Sequence, residues 1–220
     1  MSEKTLERES LVMSRGNNFY GQVMTWVAAA FGMTAIGIFF IGPLVPQSLM
    51  MPLYIVTLVV LIGSSFLRKV RGLSGILTLV VPTLIGIMLY PTLNYYVATG
   101  AGDLIFISAI GTAITFGGAA IVGWTSKKSL NKFAGPLFGI TLAIIGLSLL
   151  NAFFFHLPIL QFLISIGILI IFTVYSYIDV QAIRDRSMGN APASQYALHV
   201  FIDIINIFIS LLNILGFLRR

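Results

Sequence analysis

No cysteine occurs anywhere in the 220 residues, which excludes disulfide cross-links, thiolate metal sites and cysteine nucleophiles. Charge is almost as scarce. Only 9% of the residues are Asp, Glu, Lys or Arg, against about a quarter in soluble domains. Acidic side chains number seven, and three of them, Glu3, Glu7 and Glu9, stand at the very beginning. What the chain has in abundance is apolar surface: 58% of residues are hydrophobic and the mean hydropathy is +0.99. That is the composition of a polytopic membrane protein. The formal charge of +6 does not mark a nucleic-acid partner. The Lys and Arg side chains sit in short segments beside apolar runs and form no continuous basic face, so they read as topology signals.

Residues 1–18 read as a polar cytoplasmic tail of mixed charge, without the signal-peptide order of positive start, short apolar core and small-residue cleavage site. Residues 19–220 read as one transmembrane domain. Apolar runs fall at about 20–42, 49–67, 73–97, 104–124, 134–155, 157–178 and 196–217, most of them near the roughly 20 residues that cross 30 Å of hydrocarbon. Turn residues separate them: Gly42-Pro43, Gly100 to Asp103, Gly135-Pro136, His156 to Pro158, and Gly189 to Pro192. Seven membrane helices are expected, with Pro82 the proline that lies well inside a span. Gly135 and Gly139 in segment five, and Ala119 and Gly123 in segment four, have the small-xxx-small spacing that lets helices pack closely, and no dimer is assigned to them.

Charge bias sets the orientation. With the N-terminus in the cytoplasm, the inner segments hold Lys4, Arg8 and Arg15, then Arg68, Lys69 and Arg71, then Lys127, Lys128 and Lys132, then Arg184 and Arg186. The outer loops hold none, as the positive-inside rule requires. Arg219 and Arg220 disagree if the seventh segment crosses; a re-entrant seventh segment would return them to the inner side. The crossing of that segment therefore stays open at the level of sequence.

The seventh segment also carries a polar stripe. His199, Asp203, Asn206, Ser210 and Asn213 recur at steps of four, three, four and three, which places them within an arc of roughly 80° on a helix. An ionised Asp near the bilayer centre costs about 2.5 to 3.5 kcal/mol, so this stripe should line a bundle interior or a wet path. Segment six, ending near Asp179, and segment two, ending at Arg68, bring a second carboxyl and a guanidinium to the same depth as Asp203. A close carboxyl pair in a low-dielectric site would share one proton, the requirement for a proton-sensitive latch. Plainer readings stand beside this one. Asp179 precedes Arg184, Asp185 and Arg186 and would also serve as a solvated helix end; His199 would serve as an interfacial helix start. Asn206, Ser210 and Asn213 suit interhelical hydrogen bonds better than ion ligation.

The segment Tyr175-Ser-Tyr-Ile-Asp179 with the short basic loop holding Arg184, and the run Phe201-Ile-Asp203-Ile-Ile-Asn206-Ile-Phe-Ile-Ser-Leu-Leu212, resemble the closing signature of the transmembrane Bax inhibitor motif family. Pro52-Leu53, Leu67-Arg68 and Gly86-Ile-Met-Leu-Tyr-Pro91 are similar to a bacterial member. The resemblance covers nearly the whole chain. It implies an all-α membrane protein of seven helices, arranged as two three-helix layers around a central C-terminal helix, in a bacterial cell membrane. It also implies a pH-sensitive calcium leak in which Asp179 and Asp203 form the sensor and Arg68 interacts with them. The resemblance departs at Thr57, where the bacterial pattern has an acid. Calcium prefers six to eight oxygen ligands, so Asp179 and Asp203 would hold it weakly and transiently, as a permeant ion. No resident cofactor is expected, and the partners read here are the bilayer, calcium ions and protons.

The mechanism expected is that a shared proton holds segments six and seven together while Phe201, Ile205, Phe208 and Leu212 plug the path. A proton-coupled transporter and a membrane regulator without transport are the alternatives, although no repeat relates the two halves. An intramembrane serine protease is a lesser one: Gly72-Leu73-Ser74-Gly75 has a GxSG pattern and His199 would lie at a similar depth. Nothing else in the chain suggests an enzyme.

Overall fold

The computed structural model describes the backbone of residues 3–66 and 73–219, with side chains described from residue 18 onward except at 61, 62 and 64–66. Among the described residues every regular element is helical. Seven α-helices follow one another: α1 Glu3–Ile36, α2 Gln47–Phe66, α3 Leu73–Ala98, α4 Asp103–Thr125, α5 Ala134–Leu150, α6 Pro158–Asp185 and α7 Ala193–Leu218. Six described segments are long and apolar enough to cross a membrane, and α2 contributes the shorter apolar stretch Gln47–Val60. The chain is thus an all-α membrane protein. Two boundaries differ from the sequence pattern: α1 begins inside the polar tail and α6 continues six residues past Asp179. Besides Pro82, Pro52 of α2 and Pro91 of α3 also lie inside helices.

Two compact units divide the chain. The first takes residues 1–91 and 189–201; the second takes 92–188 and 202–220. In the first, α1 reaches the end of its span through a π-helical turn, Gly37–Ile41, and a 3₁₀ turn, Gly42–Leu44, closed by Pro43. A π turn inserts one extra residue and shifts the side chains that follow it. Here it accompanies direct contact of two backbones: a Cβ on Gly37 would overlap the Thr83 carbonyl, and one on Gly86 would overlap the Thr34 carbonyl. Tyr54 of α2 donates to the Met88 carbonyl at 3.3 Å. Thr57, the residue at which the family resemblance departs, is buried and spends its hydroxyl on Leu53 of its own helix at 2.8 Å. The first turns of α7 dock here through Thr78, which donates to the Ser194 carbonyl at 2.9 Å, and through edge-on ring contacts of Tyr196 with Phe19 and of Phe201 with Phe31, each 5.3 Å between centroids.

The second unit is tied at both ends of its helices. At one end α6 clamps the finish of α4. The Arg184 guanidinium donates to the carbonyls of Trp124 at 2.6 Å and Ser126 at 2.9 Å, and Gln181 and Tyr177 both donate to the Lys128 carbonyl, at 2.9 and 2.6 Å. The Trp124 carbonyl is one that a helix end leaves without an intrahelical partner, and those of Ser126 and Lys128 belong to the loop that follows α4. Close approach makes the clamp possible, since a Cβ on Gly123 would come within 2.6 Å of the Tyr177 carbonyl. At the other end Arg219, just past α7, pairs with Asp103 at the start of α4. α7 finishes beside Asp103, and its 26 residues span about 39 Å at 1.5 Å per residue, long enough to cross a bilayer.

α5 is the most exposed span, with 6% of its apolar window buried against 39% for α7. It packs on α6, and its outward face suits lipid. The expected close packing at Gly135 and Gly139 is not seen among the described residues, where nothing lies within 4 Å of a Cβ built at either. Ala or Leu at Gly86 should therefore cost about 1–3 kcal/mol of stability through overpacking, whereas Gly135→Ala should be neutral or stabilising by up to about 1 kcal/mol from helix propensity; thermal unfolding in detergent measures both. Because the chain lacks cysteine, single cysteines report sidedness cleanly. Impermeant maleimide should label Gly102→Cys and Leu218→Cys from one side of sealed vesicles and Ser187→Cys from the other; labelling of Leu218→Cys and Ser187→Cys from one side would contradict a crossing α7.

Candidate functional site

An acidic residue in a spanning helix must be turned away from lipid, and α6 and α7 do this for the same volume of the second unit. Asp179 of α6 and Asp203 of α7 are 8% and 3% exposed. Each lies within the electrostatic reach of the other, and Tyr175, one turn before Asp179 on α6, lies within reach of both. The two carboxyl groups expected to meet are thus brought together. Asp179 is not a solvated helix end, because α6 continues to Asp185 and covers it.

The polar surroundings of Asp203 are sparse. Ser176 of α6, fully buried, is its hydrogen-bonding neighbour, and the same hydroxyl also lies 2.8 Å from the Phe172 carbonyl. One hydroxyl proton serves one acceptor well, so Ser176 is shared between the carboxyl and its own helix. The second oxygen of Asp203, Oδ2, is buried without a hydrogen bond among the described residues. A buried oxygen left in that state costs about 1–3 kcal/mol, more if charged; a proton, a water or a cation would relieve it. Around this point the walls are apolar. Phe201, Ile205, Ile207 and Leu212 of α7 are buried, and Phe208 is half-buried. These buried positions point in several directions around the helix, so α7 is enclosed on more than one face.

The rest of the stripe divides. Ser210 is buried at 2% exposure, while Asn206 and Asn213 are half-buried. Asn206 turns its amide back to the Ile202 carbonyl at 2.8 Å, which spends a donor on its own helix. His199 belongs to the first unit and is half-buried there. Arg68 lies outside the described residues. Ser74, the serine of the GxSG tetrapeptide, accepts a hydrogen bond from Ser194 Oγ at 3.1 Å; a serine is no base and cannot take its proton.

Sequence reasoning did not single out Ser176 or Tyr175 as neighbours of the pair, although Tyr175 and Asp179 stand at i and i+4, on one face of a helix. Tyr175 also receives a long contact of 3.5 Å from Thr141 of α5. As a cation site the pair supplies two carboxyl groups and a hydroxyl, and no cluster of three His, Cys, Asp or Glu exists among the described residues. The arrangement can hold a proton or a loosely bound cation.

Comparison with known proteins agrees with this architecture. Residues 16–220 match the family described as inhibitor of apoptosis-promoting Bax1. The chain is 32% identical over 173 residues to the modulator of FtsH protease YccA of Escherichia coli strain K12, covering 77% of each chain. It is 27% identical over 219 residues to an uncharacterized membrane protein of Vibrio cholerae, covering 99% of this chain and 94% of that one. A Campylobacter jejuni protein, Cj0236c, shares 34% identity over 131 residues, 59% of this chain and 55% of its own. With helices long enough to cross a bilayer, buried aspartates on two of them and a family match over nearly its full length, the chain belongs to the Bax inhibitor-like family of integral, multi-pass membrane proteins.

Proposed function

We propose that this protein is a pH-sensitive leak for calcium ions, with its N-terminus in the cytoplasm and α7 as the central helix of the bundle. The observation that supports the reading is the burial of Asp179 and Asp203 within electrostatic reach of each other, with Asp203 Oδ2 left without a hydrogen bond among the described residues. Two carboxyl groups in a low-dielectric interior hold a proton between them more cheaply than they hold two charges. The shared proton joins α6 to α7. Its loss or gain changes the attraction between the helices and so the packing of Phe201, Ile205 and Leu212 along α7, which plugs the path. Calcium passes as a partly hydrated ion, because two carboxylates fall short of its six to eight oxygen ligands. Such a leak equilibrates calcium and does not concentrate it.

The test is influx into calcium-dye-loaded liposomes measured from about pH 6 to 8. The parent should show pH-dependent influx, and Asp179→Asn and Asp203→Asn should each flatten that dependence, since an amide cannot titrate. Influx that keeps its pH response in both variants would overturn the latch. Absence of calcium flux at every pH would overturn the leak.

One comparison favours a second reading. The relative from Escherichia coli is named as a modulator of FtsH protease, and the same bundle could act on a membrane-anchored protease without passing ions. On that reading the purified chain should slow or alter degradation of a membrane substrate by reconstituted FtsH, and it should do so equally well as Asp179→Asn. An unchanged degradation rate at saturating protein would remove it.

A further inference from the structure

A cavity of about 290 Å³ opens at the end of the second unit where α6 begins and α3, α5 and α7 finish. Its polar wall is Tyr96, His156, Gln161 and Asn213, and the stacked rings of Phe162 and Phe217, 4.6 Å between centroids, form an apolar side. Gln161 lies about 27 Å along α6 from Asp179, at 1.5 Å per residue, so the cavity is distinct from the aspartate pair.

The cavity has a built frame. Asn151, in the π-helical turn that ends α5, accepts from the Leu157 N–H at 3.0 Å and donates to the Leu157 carbonyl at 3.3 Å, pinning the loop between α5 and α6. His156 within that loop is left-handed at φ 51°, a conformation that a non-glycine residue holds only when its surroundings impose it. Tyr96 donates to the Leu212 carbonyl at 3.3 Å, and Gly216 leaves room for the phenol, because a Cβ there would overlap its hydroxyl. The side chains of His156, Gln161 and Asn213 are not consumed in this frame among the described residues.

The chemistry of the wall selects a ligand. Amides, an imidazole and a phenol line it and no carboxylate does. α6 starts in the same wall with Pro158 and no side-chain cap, which adds the partial positive charge of a helix start. Such a wall suits an oxyanion. A soluble anion would leave unexplained what borders it: Phe153, Phe154, Phe155 and Ile159, adjacent in sequence to the wall residues, are exposed at 48%, 73%, 51% and 52%. These stand at the end of a span, where lipid headgroups meet acyl chains. The volume is at the small end of ligand sites, enough for a headgroup and too small for a lipid's chains.

We propose that this cavity binds one phospholipid, with its phosphodiester held by Gln161, Asn213 and His156 and its acyl chains lying over the exposed apolar residues at the junction of α5 and α6. The full chain, purified in mild detergent and incubated with phosphatidylglycerol and phosphatidylethanolamine, should retain a single phospholipid in native mass spectrometry. Gln161→Leu removes a donor, and Ala152→Phe fills the cavity from a lining position while leaving every wall donor in place. Each should reduce the retained fraction by about tenfold, equivalent to about 1.4 kcal/mol, with the lipid-free melting temperature unchanged; if one variant does not fold, the other carries the test. Three results would overturn the proposal: no lipid retained by the parent, equal retention by the parent and a folded variant, as for lipid held around the outside, or stabilisation by millimolar inorganic phosphate without any retained lipid.

Discussion

Two aspartates inside helices of membrane length constrain everything around them. Neither α6 nor α7 can rotate its carboxyl toward hydrocarbon without a cost of about 2.5 to 3.5 kcal/mol for the charged form. The rotation of both helices about their axes follows from that. On α6, Leu163 and Ile170 lie about 160° and 180° around the helix from Asp179, at 100° per residue, and they are 57% and 60% exposed. One carboxyl thus decides which side of a uniformly apolar helix meets lipid, a choice that Ile, Leu and Val could not make among themselves. On α7 the same demand is stronger, because Asp203 is surrounded by buried apolar neighbours and has one oxygen unpaired among the described residues.

Cohesion elsewhere comes from contacts that do not depend on expelling water. Lipid tails are as apolar as leucine, so membrane helices associate by close packing and by hydrogen bonds. In the first unit α1 touches α3 backbone to backbone at Gly37 and Gly86; in the second α4 touches α6 at Gly123. Threonine hydroxyls inside the spans turn back to the carbonyl four residues earlier, as at Thr34, Thr57 and Thr112. Buried donors are satisfied this way without a partner on another helix. Longer polar side chains gather at the helix ends, with Arg184, Gln181 and Tyr177 at one end of the second unit and Asn151, Arg219 and Asp103 at the other. Dry, titratable chemistry therefore sits within the span, and hydrogen-bonding chemistry sits where the spans finish.

α7 connects these two kinds of site. It carries Asp203 within its length and Asn213 and Gly216 in the cavity wall near its end, about 15 Å further along at 1.5 Å per residue.

The sequence by itself determined the class, the seven helices, of which six are long and apolar enough to span, and which two of them carry an aspartate. Hydropathy is an additive property of neighbouring residues, and a bilayer reads it directly. The polar stripe on α7 was legible for the same reason, since 3.6 residues per turn converts spacing into a face. Tertiary structure decided what those residues meet. A solvated helix end was the plainer reading of Asp179, because Arg184, Asp185 and Arg186 follow it; α6 instead runs on to Asp185, Asp179 is buried, and Arg184 is drawn to the Trp124 carbonyl at the end of α4. Gly135 and Gly139 have the spacing of a packing motif yet face open space, while Gly86, outside any such motif, takes the closest backbone contact. Asn206 and Ser210 share one face of α7, but one is bonded back to its own helix and the other is buried. Spacing along a chain places side chains on a face; which neighbour fills that face depends on helices distant in sequence, and no local pattern encodes their approach.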